Sequence, residues 1–417
     1  MHSKRILILG AGRYNVPSIA AARQAGFFAL VADRNKDAPG LKLADIPLAI
    51  DVNDCDSLTE AIRQNGGIDG VISMAEVGVR SAARISAELG LPSISEEAAA
   101  NATSKANMRR LWRTISNYSV EFEVVSSLDE AEKAVRRLAH FPLIFKPDCS
   151  FGGSRGVTKI HSFEQVFTAF QDAKSGGLPN SNVVIEECVE GSEHSAEVLV
   201  WEDLTSVLCI GQKVKSLPPY RVDVSVQYPA ELTDTQRQTV AEMCDHAAKT
   251  LGLSQGVAHV EFAYTQRGPV LFELGARCGG GHTPQIVHHV SGVNEFVEAC
   301  RMACGIAPVQ FTPIYSRGAD YRFLVFPAGK VEGIEIPPSI SSSSCVLDVG
   351  LTVGVGQTVS PLRATSDRSG FLVATGDTLE EAIECADRGS RGISITYADG
   401  TTQHPIELAA FQELTPR

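Results

Sequence analysis

No stretch of this chain approaches the roughly 18 consecutive apolar residues that a bilayer-spanning helix requires, so no membrane span is expected. Basic blocks are missing too. The formal charge is −12, from 37 Lys and Arg against 49 Asp and Glu, which argues against nucleic acid or an anionic membrane as partner. A local phosphate site stays compatible with that total. The ten cysteines include no C-x-x-C pair, and no histidine pair beside Cys300 and Cys304 completes a zinc pattern. They read as free thiols acting as small core residues in a reducing cytosol. A secretory leader is not expected either: the apolar run in "MHSKRILILGAG" breaks at Gly10 after four residues, short of an h-region. The expected location is cytoplasmic. No repeat of fixed period is present.

What is there is a soluble-type composition, 44% apolar and 21% charged, over 417 residues. That length implies two to four domains. Residues 4 to about 100 alternate strand and helix: "RILILG", "VPSIAAARQAG", "FFALVAD", "CDSLTEAIRQN", "IDGVISMAE" and "VRSAARISAELG". Such alternation predicts a parallel sheet with flanking helices. From about 104 the texture changes to helices mixed with hairpin-like strands, including a helix at about 234 to 251. Pro308 to Pro313 marks a boundary, and beyond it lies a mostly β segment with one late helix, "TLEEAIECADRG".

Chemistry is suggested in five places. In "HVEFAYTQRGPVLFELGARCGGGH" two apolar strands each carry one glutamate, Glu261 and Glu273, on the polar-tolerant face. A turn centred on Arg267 predicts that the two face each other across the ladder, with Cβ atoms roughly 4.5 to 5.5 Å apart. Like charges at that distance call for a cation, and Mg²⁺ takes one or two carboxylates plus substrate phosphates. The plain alternative is a solvated sheet face. Lys146 ends the strand "FPLIFKP" and leads into a loop with Gly152, Gly153 and Gly156, whose backbone N–H groups can wrap an anion. Ser150, Ser154 and Arg155 add donors there, although glycine-rich hairpin turns are common. No G-K-[ST] opens a helix, so this is not a Walker A loop.

In "VVIEECVEGSEHSAEV" a strand edge offers backbone groups for an adenine and carboxylates for ribose, or simply a solvated turn. "GAGRYN" with Asp33 matches part of the dinucleotide fingerprint, but Asn15 stands where the third glycine belongs. Arg277, four residues after Glu273, could meet a carboxylate or phosphoryl group bidentately or pair with a surface acid.

Taken in this order, the motifs resemble the ATP-grasp superfamily of carboxylate–amine ligases over roughly residues 1 to 330. The resemblance implies α/β and α+β architecture: a Rossmann-like parallel sheet at 1–103, ATP-grasp subdomains at 104–185 and 186–308, and a mostly β segment at 309–417. It further implies that Lys105 in "TSKANMRRL" and Lys146 bind the nucleotide phosphates, under a lid formed by "SFGGSRG" (Ser150, Gly152, Gly153, Ser154, Gly156). Glu186, Glu187 and the backbone of Cys188 and Val189 would form the adenine hinge, with Glu193 on ribose. Glu261 and Glu273 map to the two metal carboxylates, Lys146 and Arg277 to catalytic positions. The cofactors implied are ATP and Mg²⁺, or Mn²⁺ in its place. Where many members carry asparagine two residues after the second metal glutamate, this chain has Gly275. "ELGAR-GGG" resembles the L-amino acid ligase branch, which forms dipeptides.

The function implied is ATP-dependent joining of a carboxylate to an amine through an acyl phosphate, by a homodimer acting on small molecules. Alternatives are a carboxylase-like or purine-pathway enzyme using bicarbonate or formate, a nucleotide sensor without turnover, and an NAD(P)-dependent oxidoreductase built on "GAGRYN". Location alone nominates Glu76, His282 and Arg322 as substrate contacts.

Overall fold

The computed structural model describes residues 3–150, 153, 155–202, 204–217 and 220–412. The chain gathers into two compact units, each assembled from three segments. The first comprises 1–124, 196–209 and 232–314; the second comprises 125–195, 210–231 and 315–417. The intervals read from the sequence were consecutive, whereas these units interleave. The strands Ser192–Trp201 and Leu204–Lys215 each carry the chain from one unit into the other.

The first unit opens with the expected parallel sheet, in the order Ile46–Leu48, Phe28–Ala32, Arg5–Leu9, Gly70–Ser73. Ile6 to Leu9 are essentially inaccessible to solvent. That is why the first strand reads as an unbroken apolar run rather than an alternating one. The flanking helices Val16–Gln24, Cys55–Gln64 and Val79–Leu89 start and stop on local chemistry. Asp54 caps the second by accepting from the Ser57 amide, and Gly90 ends the third with φ +67°. The chain runs outward through three strands and returns beside the first. The topological switch therefore falls where Arg5–Leu9 and Gly70–Ser73 adjoin, the place where open α/β sheets bind ligands. The same unit carries the helix Lys105–Trp112, the helix Asp234–Leu251, the hairpin Gln255–Thr265 with Gly268–Gly275, and the helices Thr283–Ser291 and Glu295–Ala303.

In the second unit, Leu143–Pro147 pairs antiparallel with both Thr158–Ile160 and Val183–Glu187. The helices Leu128–Leu138 and Val166–Gly176 share a core with this sheet, built on Leu143, Phe145, Ile185, Ala131, Ala134 and Ala169. Its C-terminal part is largely β, as expected. Asp223–Tyr228, Gly318–Leu324, Gly370–Gly376 and Val346–Leu351 pair antiparallel in that order. The late helix, Leu379–Gly392, contributes Cys385 and Ala386 to the core beside Leu372 and Ala374.

One expectation is corrected here. Cys345 and Cys385 are joined in a disulfide, with Cα atoms 6.4 Å apart. They lie 40 residues apart in the chain, so no spacing rule could have paired them. The other eight cysteines are free, six of them buried. Among the described residues no helix is long and apolar enough to cross a membrane.

Candidate active site

In the first unit the hairpin places Glu261 directly opposite Glu273. The turn responsible differs from the one the sequence suggested. Thr265 pairs with Gly268, so the turn is the two residues Gln266 and Arg267 rather than one centred on Arg267. A regular ladder from that turn would set Glu261 against Phe272 and send Glu273 to the other face. A register shift next to Glu261 inserts one extra residue and restores the pair.

That bulge is held by a residue the sequence reading overlooked. Arg109, 1% exposed, donates from Nη1 to the Leu271 carbonyl and from Nη2 to the Phe272 carbonyl, each at 3.0 Å. Arg109 sits four residues beyond Lys105 on the helix Lys105–Trp112, hence on the same face. Ser104 caps this helix by accepting from the Asn107 amide, which fixes its first turn. Lys105 Nζ donates to Glu273 Oε1 at 2.7 Å. Burial pulls the Lys105 pKa down, but Glu273, Glu76 and Glu261 outweigh it, and the ammonium is held charged. The i, i+4 spacing of Lys105 and Arg109 was the signal available in the sequence.

Behind the glutamates lies a second layer. His259 Nδ1 is 2.6 Å from Glu197 Oε1, and its Nε2 is 3.3 Å from Glu261 Oε1. Burial lowers the His259 pKa, yet the carboxylates of Glu197 and Glu261 raise it to about 9. Glu295, wholly buried, is pushed toward its neutral form by burial and by Glu197.

Arg277 Nε donates to Glu76 Oε2 at 3.0 Å, and its Nη1 donates to the Cys278 carbonyl at 2.9 Å. His282 is 3% exposed and meets the ring of Tyr14 edge-on at 5.4 Å. A carboxylate pair across one ladder suits a hard divalent cation that completes its shell with substrate and water oxygens. Among the described residues, no three His, Cys, Asp or Glu side chains stand close enough to hold a metal by themselves.

The dinucleotide fingerprint is put to another use in this chain. Asp33 Oδ2 accepts from the Ala11 amide and Oδ1 from the Asn35 amide, so its carboxylate stitches the glycine turn to the next loop. A short 3₁₀ turn, Arg13–Asn15, also separates Gly12 from the helix Val16–Gln24.

In the second unit, Lys146 Nζ donates to Glu186 Oε1 at 2.5 Å, with the two side chains 7% and 6% exposed. Their strands pair with Lys146 opposite Val184 and Glu186 opposite Ile144, so the contact is diagonal on one face. The Cys188 amide donates to the Pro142 carbonyl at 3.2 Å, which commits that N–H within the fold. Glu193 is gripped by Lys215 at 2.6 Å and Arg221 at 3.3 Å. Glu187 is half-buried at the end of its strand. Of the loop residues, Ser150 bridges to Gly177, while Gly153 and Gly156 adopt φ of +76° and +70°. Gly156 packs so closely on the helix Val166–Gly176 that a Cβ would lie 2.7 Å from the Asp172 carbonyl oxygen. Gly152 and Ser154 lie outside the described residues. Arg322 pairs with the buried Asp320 at 2.5 Å and with the more exposed Asp387 of the late helix at 2.9 Å.

Comparison with known proteins matches residues 139–285 to the family described as ATP-grasp domain, and residues 322–398 to L-amino acid ligase C-terminal domain 2. Dapdiamide A synthase of Enterobacter agglomerans is 24% identical over 347 residues, covering 77% of this chain and 78% of that protein. The formate-dependent phosphoribosylglycinamide formyltransferase of Synechococcus sp. is 25% identical over 403 residues, covering 94% of this chain and 97% of that one. The crystal structure of an L-amino acid ligase from Bacillus licheniformis shares the fold, with a TM-score of 0.81 at 22% identity. It covers 95% of this chain and 99% of its own.

Proposed function

The chain is an ATP-grasp ligase of the ADP-forming carbon–nitrogen class, and from that premise we propose that it joins an amino acid carboxylate to an amine. The carrying observation is the bulged hairpin that sets Glu261 against Glu273 with Lys105 on its rim. Glu261 and Glu273 would hold the magnesium that accompanies ATP, and a bound Mg²⁺ supplies charge neutralisation at the phosphate oxygens.

The remaining roles fall to the chain's own side chains. Lys105 and Lys146 offset phosphate charge. Glu186, Glu187 and the backbone of Cys188 and Val189 receive the adenine, the Cys188 N–H being already engaged. Glu193 meets the ribose hydroxyls, in exchange for part of its contact with Lys215 and Arg221. The substrate carboxylate attacks the γ-phosphorus, ADP leaves, and the amine displaces phosphate from the acyl phosphate. Arg277 stabilises the oxyanion of that last step. No side-chain nucleophile is required, because phosphoryl transfer depends mainly on positioning and electrostatics.

A second reading, a formate- or bicarbonate-using enzyme, is favoured by the end-to-end similarity to the formyltransferase. The match at 322–398 favours the amino acid. Phosphate release measured over pairs of amino acids, with formate and bicarbonate in parallel wells, separates the two. ADP and phosphate formed only with a pair of amino acids, together with a labelled dipeptide, is the expected result. Release driven by formate or bicarbonate instead would overturn it.

Arg109 offers an independent check on the metal grip. Arg109→Lys keeps the charge but cannot reach both bulge carbonyls. It is expected to weaken Mn²⁺ binding about 10- to 100-fold, as supporting residues of metal ligands typically do. Titration followed by electron paramagnetic resonance measures this directly. Unchanged Mn²⁺ affinity would show that the bulge does not set the carboxylates.

A further inference from the structure

The helix Leu379–Gly392 lies against its sheet with a face of small residues, burying Ala382, Cys385, Ala386 and Gly389. A Cβ on Gly389 would come 2.5 Å from Leu372 Cδ1, so helix and the strand Gly370–Gly376 approach closely. Small side chains remove little apolar area from water, and burial stabilises in proportion to that area. Two further ties hold the helix, one on each side of that strand. On one side Arg322 Nη1, from Gly318–Leu324, donates to Asp387 Oδ1 at 2.9 Å. On the other side Cys385 is bonded to Cys345, the residue before Val346–Leu351. Asp387 is 39% exposed, and water screens an ion pair of that kind. The disulfide, which joins residues 40 apart in the chain, is therefore the stronger tie.

We propose that the Cys345–Cys385 bond is a thiol–disulfide exchange site, opened by a dithiol and closed again by oxidation, which sets how firmly Leu379–Gly392 is held to the sheet. Its two sulfurs are presented unequally. Cys385 is 3% exposed, whereas Cys345 is only partly buried and follows the exposed Ser341, Ser342 and Ser344. A dithiol, as its thiolate, attacks the accessible Cys345 Sγ and forms a mixed disulfide there, and the bond to Cys385 breaks. Cys385 leaves with the electron pair and takes the proton that the attacking thiol lost. As a thiol it has the Cys345 carbonyl oxygen 3.1 Å away to donate to. The second thiol of the reagent then attacks the reagent's own sulfur in the mixed disulfide. That step closes a cyclic disulfide and releases Cys345, whose Sγ lies 3.2 Å from the Ser343 hydroxyl. The protein gains two hydrogens and the dithiol loses two. With the bond open, the helix keeps only its small apolar face and the Asp387 pair.

The full-length protein is treated with dithiothreitol without denaturant, freed of the reagent, alkylated in denaturant and read by peptide mass spectrometry. Cys345 and Cys385 are expected to stay unlabelled in the untreated chain and to be labelled together after treatment. Hydrogen exchange over 379–392 is expected to speed up at least about 10-fold on reduction. The helix Leu128–Leu138, which packs in a separate core of the same unit, should keep its rate. Oxidised glutathione, added once the dithiol is removed, should restore the slow exchange. Cys345→Ser removes the tie at its partly exposed end and should exchange fast with or without dithiol. Labelling of both cysteines before treatment, or a bond that yields to dithiol only after unfolding, overturns the proposal. So does slow exchange over 379–392 in the reduced protein or in Cys345→Ser.

Discussion

Glu273→Gln is expected to reduce ATP-dependent phosphate release by at least about 1,000-fold while leaving the protein folded. A loss of that size corresponds to about 4 kcal/mol of transition-state stabilisation, the order associated with removing one electrostatic contact at the reacting phosphates. The substitution keeps the shape of the side chain and its place on the ladder opposite Glu261. What disappears is the negative charge shared by Lys105 and any bound cation. The amide oxygen can still accept from Lys105 Nζ, so the hairpin, whose register is held by Arg109, should persist. Circular dichroism and thermal melting test the fold, and a Mn²⁺ titration tests the grip. A folded Glu273→Gln protein with undiminished turnover would end the metal assignment.

Lys146→Met is expected to lower stability and nucleotide affinity together, and a second variant separates the two effects. Lys146 and Glu186 form an ion pair with both side chains more than nine-tenths buried. Removing the lysine takes away the ammonium that faces the buried Glu186 carboxylate, and breaking a buried pair costs about 3–5 kcal/mol in comparable cases. Replacing both, as Lys146→Met with Glu186→Leu, removes the uncompensated charge and should recover most of the stability. Nucleotide binding should stay about 100-fold or more below the parent in both variants if the lysine is required at the phosphates. Denaturant melts report the first quantity, and competition against a fluorescent nucleotide reports the second. Restored ATP affinity in the double variant would reduce the pair to a structural element.

The parts of the candidate site that were legible in the sequence are those encoded by local pattern. Period-2 alternation around Glu261 and Glu273 located the hairpin and its polar face. The strand ending at Lys146 and the glycines after it were equally readable, and so was the helix Asp234–Leu251. The register was another matter. A turn half a residue from the true centre led to the correct pairing only because the bulge compensates for it. Bulges leave little trace in composition, and this one depends on a buried arginine 162 residues away from the carbonyl it holds. Asp33 shows the reverse case, where the residue completes part of a dinucleotide fingerprint and the structure uses its carboxylate to tie backbone amides.

Local pattern along the chain sets which segments form strands or helices, which faces they bury, and which side chains can carry phosphate and metal chemistry. These follow from periodicity, turn residues and charge type, all of them short-range properties. Packing between distant segments places Glu76 beside Arg277, pins the bulge with Arg109 and joins Cys345 to Cys385. Each of these joins residues far apart in the chain. Such contacts are selected by the fold's packing as a whole, and no local preference specifies them in advance.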